Sequence, residues 1–262
     1  MAPPLRTVRL DRIALPLLLA AAPAVAAQVR YEGTAYAASG TKVLYRETHW
    51  LYRDGGAGAR LVLYRCPDGR AFARKTMRDV PNAVAPDFEF VDARLGYREG
   101  VRTRGGLREV FHRESRSAPL VTRPLPPVRG LVIDAGFDRY VVDHWARLET
   151  GRVTAPFLVP SRFRALDFRI GDAVDARESG RAVRRFRMTL AGLLGVALPP
   201  IELTYDVAGR RLLRFRGPGT VRDARGRLQA LRVEFPDAPT ATGVTTAEIQ
   251  SAGRTPLATS CD

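Results

Sequence analysis

Hydrophobic and polar residues alternate along much of this chain with the two-residue period of a β-strand. In segment 201–206, Ile201, Leu203 and Tyr205 share one face, and polar residues share the other. Such alternation places one face of a sheet against a hydrophobic core. The pattern recurs in two later segments, whose apolar residues are Leu213 and Phe215, then Leu231, Val233 and Phe235.

Turn-forming residues separate these short apolar segments. Residues 60–65 and 71–77 flank Pro67-Asp68-Gly69, which favours a tight turn, so the two segments are predicted to form a hairpin. Further strands are predicted at 30–37, 43–53 and 107–112. Short strands punctuated by turns indicate a mainly β protein.

One segment has helical rather than strand-like spacing, and it predicts a helix near residues 136–150. Asp134 is suited to cap its start and Gly151 to follow its end. We therefore expect a curved antiparallel sheet, or incomplete β-barrel, closed by one amphipathic helix. This single domain would span residues 28–235, and a loosely ordered tail rich in Thr, Ala, Gly and Pro would follow at 236–262. The apolar positions of the helix are Phe137, Val141, Trp145 and Leu148.

The first 27 residues have the layout of a secretory signal peptide. Arg6, Arg9 and Arg12 precede an apolar run at 13–22, and small residues at 24–26 provide a cleavage site. The run is shorter than the roughly 20 residues that a membrane-spanning helix needs, which disfavours an uncleaved anchor. We expect a periplasmic or secreted protein of a Gram-negative type of bacterium, with no transmembrane span in its mature chain.

The formal net charge is +15, and most of it belongs to the mature chain. Export argues against a nucleic-acid partner, although a basic balance often indicates one. An anionic surface of the cell envelope is an alternative partner. Nearly all the cations are arginines, Lys42 and Lys75 being the only lysines, so codon bias of a GC-rich genome is a second explanation of the charge.

Two cysteines, Cys66 and Cys261, allow one disulfide bond in an oxidising compartment. Cys66 stands at the predicted turn, where a partner could reach it. The alternative is a pair of free thiols.

The sequence contains none of the motifs of serine hydrolases, zinc proteases or phosphate-binding loops. Its three histidines, His49, His112 and His144, have no partner at a recognised metal-ligand or catalytic spacing. We therefore predict no cofactor, no metal site and no catalytic residue. A hydrolase that uses Glu47 and His49 remains a third alternative.

The candidate ligand-binding residues come from one strand and from the helix. Tyr45, Glu47 and His49 project from one face of segment 43–53, and a carboxylate beside an imidazole could contact a ligand. The alternative is an exposed face with ordinary cross-strand partners. On the helix, the candidates are Phe137, Val141 and Trp145, which could equally belong to the core.

The order of elements carries a resemblance. An export signal is followed by strands, one helix and further strands, including Ile201-Glu202-Leu203-Thr204-Tyr205-Asp206 and Arg211-Leu212-Leu213-Arg214-Phe215. This layout resembles a group of uncharacterised secreted proteobacterial proteins. It is also similar to periplasmic lipoprotein carriers of the half-barrel type. The resemblance implies an incomplete barrel, lidded by helical structure, that shelters acyl chains.

These observations favour a periplasmic binding or carrier protein for a hydrophobic anion, such as a lipid-like ligand, in an apolar cavity. The alternative is an envelope interaction or structural protein that uses a basic surface and has no ligand pocket.

Overall fold

The chain folds around one large antiparallel β-sheet. A computed structural model describes residues 28–192, 199–236 and 238–261. The predicted signal peptide, residues 1–27, lies outside the described residues. Within them there are 14 strands and three α-helices, so the prediction of a mainly β protein is confirmed.

The strands and helices are numbered in chain order. The strands are β1 (Val29–Ala37), β2 (Val43–Asp54), β3 (Ala57–Arg65), β4 (Ala71–Arg78), β5 (Asp87–Asp92), β6 (Tyr97–Arg104), β7 (Leu107–Arg113), β8 (Val121–Pro124), β9 (Val153–Val159), β10 (Arg164–Glu178), β11 (Arg181–Leu190), β12 (Ile201–Asp206), β13 (Leu212–Arg222) and β14 (Leu228–Glu234). The helices are α1 (Gly136–Asp143), α2 (Trp145–Thr150) and α3 (Thr246–Arg254).

The sheet consists of two meanders joined at its centre. Strands β1 to β8 run outward in one direction, strands β14 to β9 run outward in the other, and β1 pairs with β14 where they meet. Each neighbouring pair is antiparallel, which short connections allow. The terminal strands β8 and β9 do not pair with each other, so the sheet is not closed into a barrel.

Both terminal strands are protected against further pairing. Strand β8 is only four residues long and ends at Pro124, and β9 contains Pro156. Short strands and prolines are common protections of sheet edges because proline has no backbone donor. The edge of β9 is also covered by Val132, which donates to the Pro156 oxygen (2.8 Å) and accepts from the Leu158 N–H (2.9 Å).

Bulges bend the sheet. A register shift between Thr204 and Tyr205 pairs Tyr205 with Leu212 and leaves Leu213 as the extra residue of β13. Bulges of this kind increase local twist and redirect side chains. The prediction that Leu213 shares the apolar face with Phe215 is therefore wrong. Because of the bulge, Leu212 lies on the inner face in place of Leu213.

The helical segment lies on the inner face of the curved sheet, as predicted, but it is divided. His144 leaves helical geometry (φ −102°, ψ 13°), so α1 and α2 form two short helices instead of one. Val141, Trp145 and Leu148 pack together with the inner residues of β9 to β12. The helices thus fill one half of the interior, and the other half faces β1 to β4, β13 and β14.

The segment from residue 236 onward differs from the loosely ordered tail that the sequence predicts. It contains α3, whose Ile249 and Ala252 are buried against Trp50 on the outer face of β2 to β4. The Thr245 hydroxyl accepts the Glu248 N–H (3.1 Å) and so caps the helix. Strand β2 is therefore covered on both faces, which explains the continuous burial of Glu47 through Trp50.

A disulfide bond fastens the end of this segment to the sheet. Cys66 and Cys261 are bonded with an S–S distance of 2.03 Å across 195 residues of chain. Cys66 is fully buried, and the Ala258 N–H donates to the Ala71 oxygen nearby (2.7 Å). These contacts hold α3 over the outer face of the sheet.

We expect the variant C66A/C261A to lose about 4–5 kcal/mol of unfolding free energy, because an unlinked chain has more entropy when unfolded. Urea denaturation followed by circular dichroism measures the loss. Wild-type protein treated with a reductant is the control and should match the variant. An unchanged urea midpoint would show that the disulfide adds no stability.

Candidate functional site

A cavity of about 460 Å³ occupies the half of the interior that the helices leave open. Its walls come from β1 to β4 on one side and from β13, β14 and the segments that flank them on the other, with the start of α1 at one end. Ligand sites in proteins are usually concave, mostly apolar and about 300–1,000 Å³ in volume. The cavity therefore has the size and position of a site for a small organic ligand.

Four of the six predicted ligand-binding residues lie on the cavity wall. They are Tyr45, Glu47, His49 and Phe137. Val141 and Trp145 do not line the cavity, because they point into the core between the helices and β9 to β12. Their assignment as ligand contacts is corrected to a packing role, which was the alternative that helical spacing left open.

Glu47 and His49 are buried side by side. His49 Nε2 lies 2.8 Å from Glu47 Oε2, and both side chains are less than 10% exposed. Burial lowers the pKa of His49, and the Glu47 carboxylate only partly opposes this effect. At neutral pH the imidazole is therefore neutral and donates from Nε2 to Glu47. Its Nδ1 atom is buried and has no hydrogen-bond partner in the described part of the chain.

Aromatic rings hold the imidazole in place. Tyr31 stacks on His49 with ring centroids 4.5 Å apart, and Phe235 meets its edge at 5.6 Å. Phe235 can approach because Gly33 stands beneath it, where a Cβ atom would come within 2.4 Å of the ring. Glycine at this strand position thus makes space for an aromatic wall of the cavity.

Lys75 and Asp134 form a second buried pair. Lys75 Nζ lies 2.8 Å from both carboxylate oxygens of Asp134, and both side chains are less than 10% exposed. Asp134 also accepts the Ala135 N–H (2.7 Å), but Ala135 and not Asp134 is the N-cap of α1. The prediction that Asp134 caps the helix is therefore wrong. Its main contact, with Lys75, ties the start of α1 to β4.

Arg60 is a cation of the cavity wall without a direct partner. No acceptor or carboxylate of the described residues lies within hydrogen-bonding or ion-pairing distance of its guanidinium. Burial alone disfavours its charge, but the Tyr31 phenol and the more distant carboxylates of Asp138, Asp134 and Asp79 outweigh this, so its pKa is raised. The guanidinium remains charged inside the cavity.

Three tyrosines contribute hydroxyl groups to the wall. Burial raises the pKa of Tyr31, Tyr45 and Tyr64, so all three stay protonated donors at neutral pH. Glu47 accepts a hydrogen bond from Tyr45. Among the residues that the structure describes, Tyr31 and Tyr64 have no hydrogen-bond acceptor for their hydroxyls. The cavity thus combines apolar surface with donors that await an acceptor.

Arg60 and Lys75 were not found from the sequence, although the strand pattern contained a signal. Lys75 lies on the same face of β4 as Ala71, Ala73 and Met77. Arg60 likewise shares a face of β3 with apolar neighbours. A charged residue on the otherwise apolar face of a strand is expected to point into the protein. The partner of Lys75 and the carboxylates near Arg60 come from distant parts of the chain, which strand periodicity does not reveal.

No protein-family model matches this chain, and a comparison with curated proteins finds no significant relative. The function of the site is therefore inferred from its geometry alone.

Several arginines of the outer face form ion pairs. Arg185 and Arg214 both bind Glu178, at 2.7 and 2.5 Å, and Arg216 lies 3.6 Å from Glu202. The outer face of β10–β13 is therefore a mixed network of charges rather than a uniformly basic surface.

The described ranges contain no group of three His, Cys, Asp or Glu side chains that could hold a metal ion. No helix in these ranges is long and apolar enough to cross a bilayer.

A further acidic group is buried near the cavity. The Tyr97 hydroxyl donates to Glu99 Oε2 (2.6 Å), and Glu99 is 8% exposed. Burial raises the pKa of Glu99 to about 7, although the Tyr97 hydrogen bond opposes the shift. Glu99 therefore binds a proton in the folded protein over a pH range in which an unfolded chain would have released it.

We expect K75M to cost about 3–5 kcal/mol of unfolding free energy, because Asp134 would remain buried without its cation. The double variant K75M/D134N should recover most of this loss. Asn keeps the acceptor for the Ala135 N–H and tolerates the positive φ of 45° at this position. Urea denaturation measures both variants. A double variant no more stable than K75M would contradict the pairing.

We expect E99Q to gain stability relative to wild type as the pH rises. Folded Glu99 has a pKa of about 7 and unfolded Glu99 one of 4.5, so wild-type stability from this group is lost between those values. Between about pH 5 and pH 8 the difference in unfolding free energy should grow by about 2–3 kcal/mol in favour of E99Q. Urea midpoints across this range measure it, with E202Q on the outer face as the control. A difference independent of pH would contradict the raised pKa.

Proposed function

We propose that this protein is a periplasmic binding or carrier protein that holds a hydrophobic anion, such as a lipid-like molecule, in the inner cavity. The observation that carries the proposal is Arg60, a guanidinium on the wall of a 460 Å³ cavity that has no ion pair with any described residue. A half-buried cation without a counter-ion has lost part of its hydration, and an anionic ligand would compensate it.

Two other sets of charged groups in the cavity are paired within the protein, and Arg210 and Arg211 add further positive charge to the wall. Lys75 is neutralised by Asp134, and Glu47 accepts from His49. The remaining wall is largely aromatic and aliphatic, with contributions from Phe137, Phe215 and Phe235. An apolar molecule with one acidic end fits such a wall, since its chain would replace water and its acid would meet Arg60.

Export is supported by the predicted signal peptide and by the Cys66–Cys261 bond, since disulfides persist in oxidising compartments. The curved, incompletely closed sheet with helices on its inner face agrees with the resemblance to half-barrel lipoprotein carriers. In that resemblance the interior shelters acyl chains.

A carrier explains the site better than the two alternatives. A basic interaction surface is less well supported because outer arginines such as Arg185 and Arg214 are paired with Glu178. A hydrolase built on Glu47 and His49 would need a nucleophile beside the imidazole. Instead Nδ1 of His49 is buried and has no hydroxyl or thiol partner among the described residues.

Purified protein should release a lipid-like acid to organic extraction and bind a fluorescent fatty acid. L212W, which fills the cavity from β13, should abolish binding of the probe. The matched control is L228W, because Leu228 is 61% exposed and lies outside the cavity. Titration of probe fluorescence measures both variants, and circular dichroism checks their folding. Absence of any bound lipid and of any probe binding to wild type would refute the carrier function.

A further inference from the structure

Arg60 lies at the junction of two cavities. A second cavity of about 490 Å³, here called the outer cavity, adjoins the inner one and shares Leu51, Arg60, Ala135 and Asp138 with it. Its wall includes the exposed residues Arg53 and Arg139 near the β2–β3 turn and α1. A ligand group at Arg60 could therefore be reached from this end of the sheet, while the inner cavity extends away from it.

The two sides of Arg60 differ in chemistry. On the inner side the wall continues through Leu212, Phe215, Val233 and Phe235, which are apolar. Beside Arg60 stands Tyr31, whose hydroxyl has no acceptor within the described ranges. Arg60 and Tyr31 thus place hydrogen-bond donors at the end of the inner cavity that adjoins the outer cavity, and apolar side chains line the wall beyond them.

The charges around Arg60 limit the charge of a ligand. The carboxylates of Asp138 and Asp79 act on the guanidinium from a distance beyond direct contact, and that of Asp134 does so while bound to Lys75. The Tyr205 hydroxyl donates to Asp138 (3.0 Å), and burial raises the pKa of that carboxyl. A group with one negative charge would be balanced by Arg60, whereas a second negative charge on the same group would be repelled by these nearby carboxylates.

We infer that the ligand is a single-chain amphiphile with a monoanionic head, oriented with its head on Arg60 and Tyr31 and its chain along the apolar wall of the inner cavity. This inference rests on the proposed carrier function and adds the charge and orientation of the ligand. The guanidinium fork matches the two oxygens of a carboxylate. One chain is favoured over two because 460 Å³ lies near the lower end of the range of ligand sites.

Four probes with the same chain separate the contributions of head and chain. Dodecanoate, dodecyl phosphate, dodecanol and dodecylammonium are titrated into delipidated wild-type protein by calorimetry at about pH 8. We expect dodecanoate to bind most tightly and dodecylammonium most weakly. This comparison uses wild-type protein only, so it does not depend on whether any variant folds.

The variants R60Q, R60K and Y31F then test the position of the head. R60Q should weaken dodecanoate binding about 10- to 100-fold, as expected for a lost hydrogen bond to a charged group, and leave dodecanol nearly unchanged. R60K should retain part of the affinity, and Y31F should lose less than R60Q. The matched control is R53Q, which removes an exposed arginine from the outer cavity and should bind dodecanoate as wild type does.

The outcomes distinguish the inference from the function on which it rests. If dodecanoate binds wild type and R60Q equally well, the head does not lie on Arg60, although the carrier function stands. Tighter binding of doubly charged dodecyl phosphate, or of a two-chain phosphatidylglycerol, would overturn the monoanionic or single-chain assignment. If none of the probes binds wild type, the carrier function itself fails.

Discussion

The buried ion pair between Lys75 and Asp134 determines how the interior of this sheet is divided. It ties the start of α1 to β4. The helices themselves pack on β9 to β12, on the opposite side of the curved sheet. From that point α1 and α2 cover β9 to β12, and the space before β1 to β4 stays open. The hydrogen bond from Tyr205 to Asp138 holds the next turn of α1 on the other side of the interior.

Polar groups in the interior follow one principle, which is that most of them are satisfied within the protein. His49 is bonded to Glu47, Tyr205 to Asp138 and Tyr97 to Glu99. Burial of such pairs is tolerated because each removes the cost of an isolated polar group. Arg60 departs from the principle, which is why it directs the functional interpretation.

The outer layer, formed by α3 and the disulfide, supports the central strands from outside. Helix α3 lies over Trp50, whose indole N–H donates to Glu248 (2.7 Å), and the hydrogen bond from Trp50, supported by Arg30, lowers the pKa of Glu248. Together with the disulfide, these contacts make the central strands a layer that is covered on both faces. A wall that is held from outside can border an open cavity without collapsing into it.

Because periodicity is a local property of the chain, the sequence alone predicted the fold class, several strands, the shared face of Tyr45, Glu47 and His49, and the helical position of Phe137. It also contained the Thr245-x-x-Glu248 capping signal of α3, which the composition of the tail obscured. Contacts in the folded protein place Val141 and Trp145 in the core, turn Leu212 inward at a bulge, and bring Lys75 to Asp134, while Arg60 has no ion pair among the described residues. These outcomes depend on contacts between distant segments and on strand register, and the local pattern of residues specifies neither.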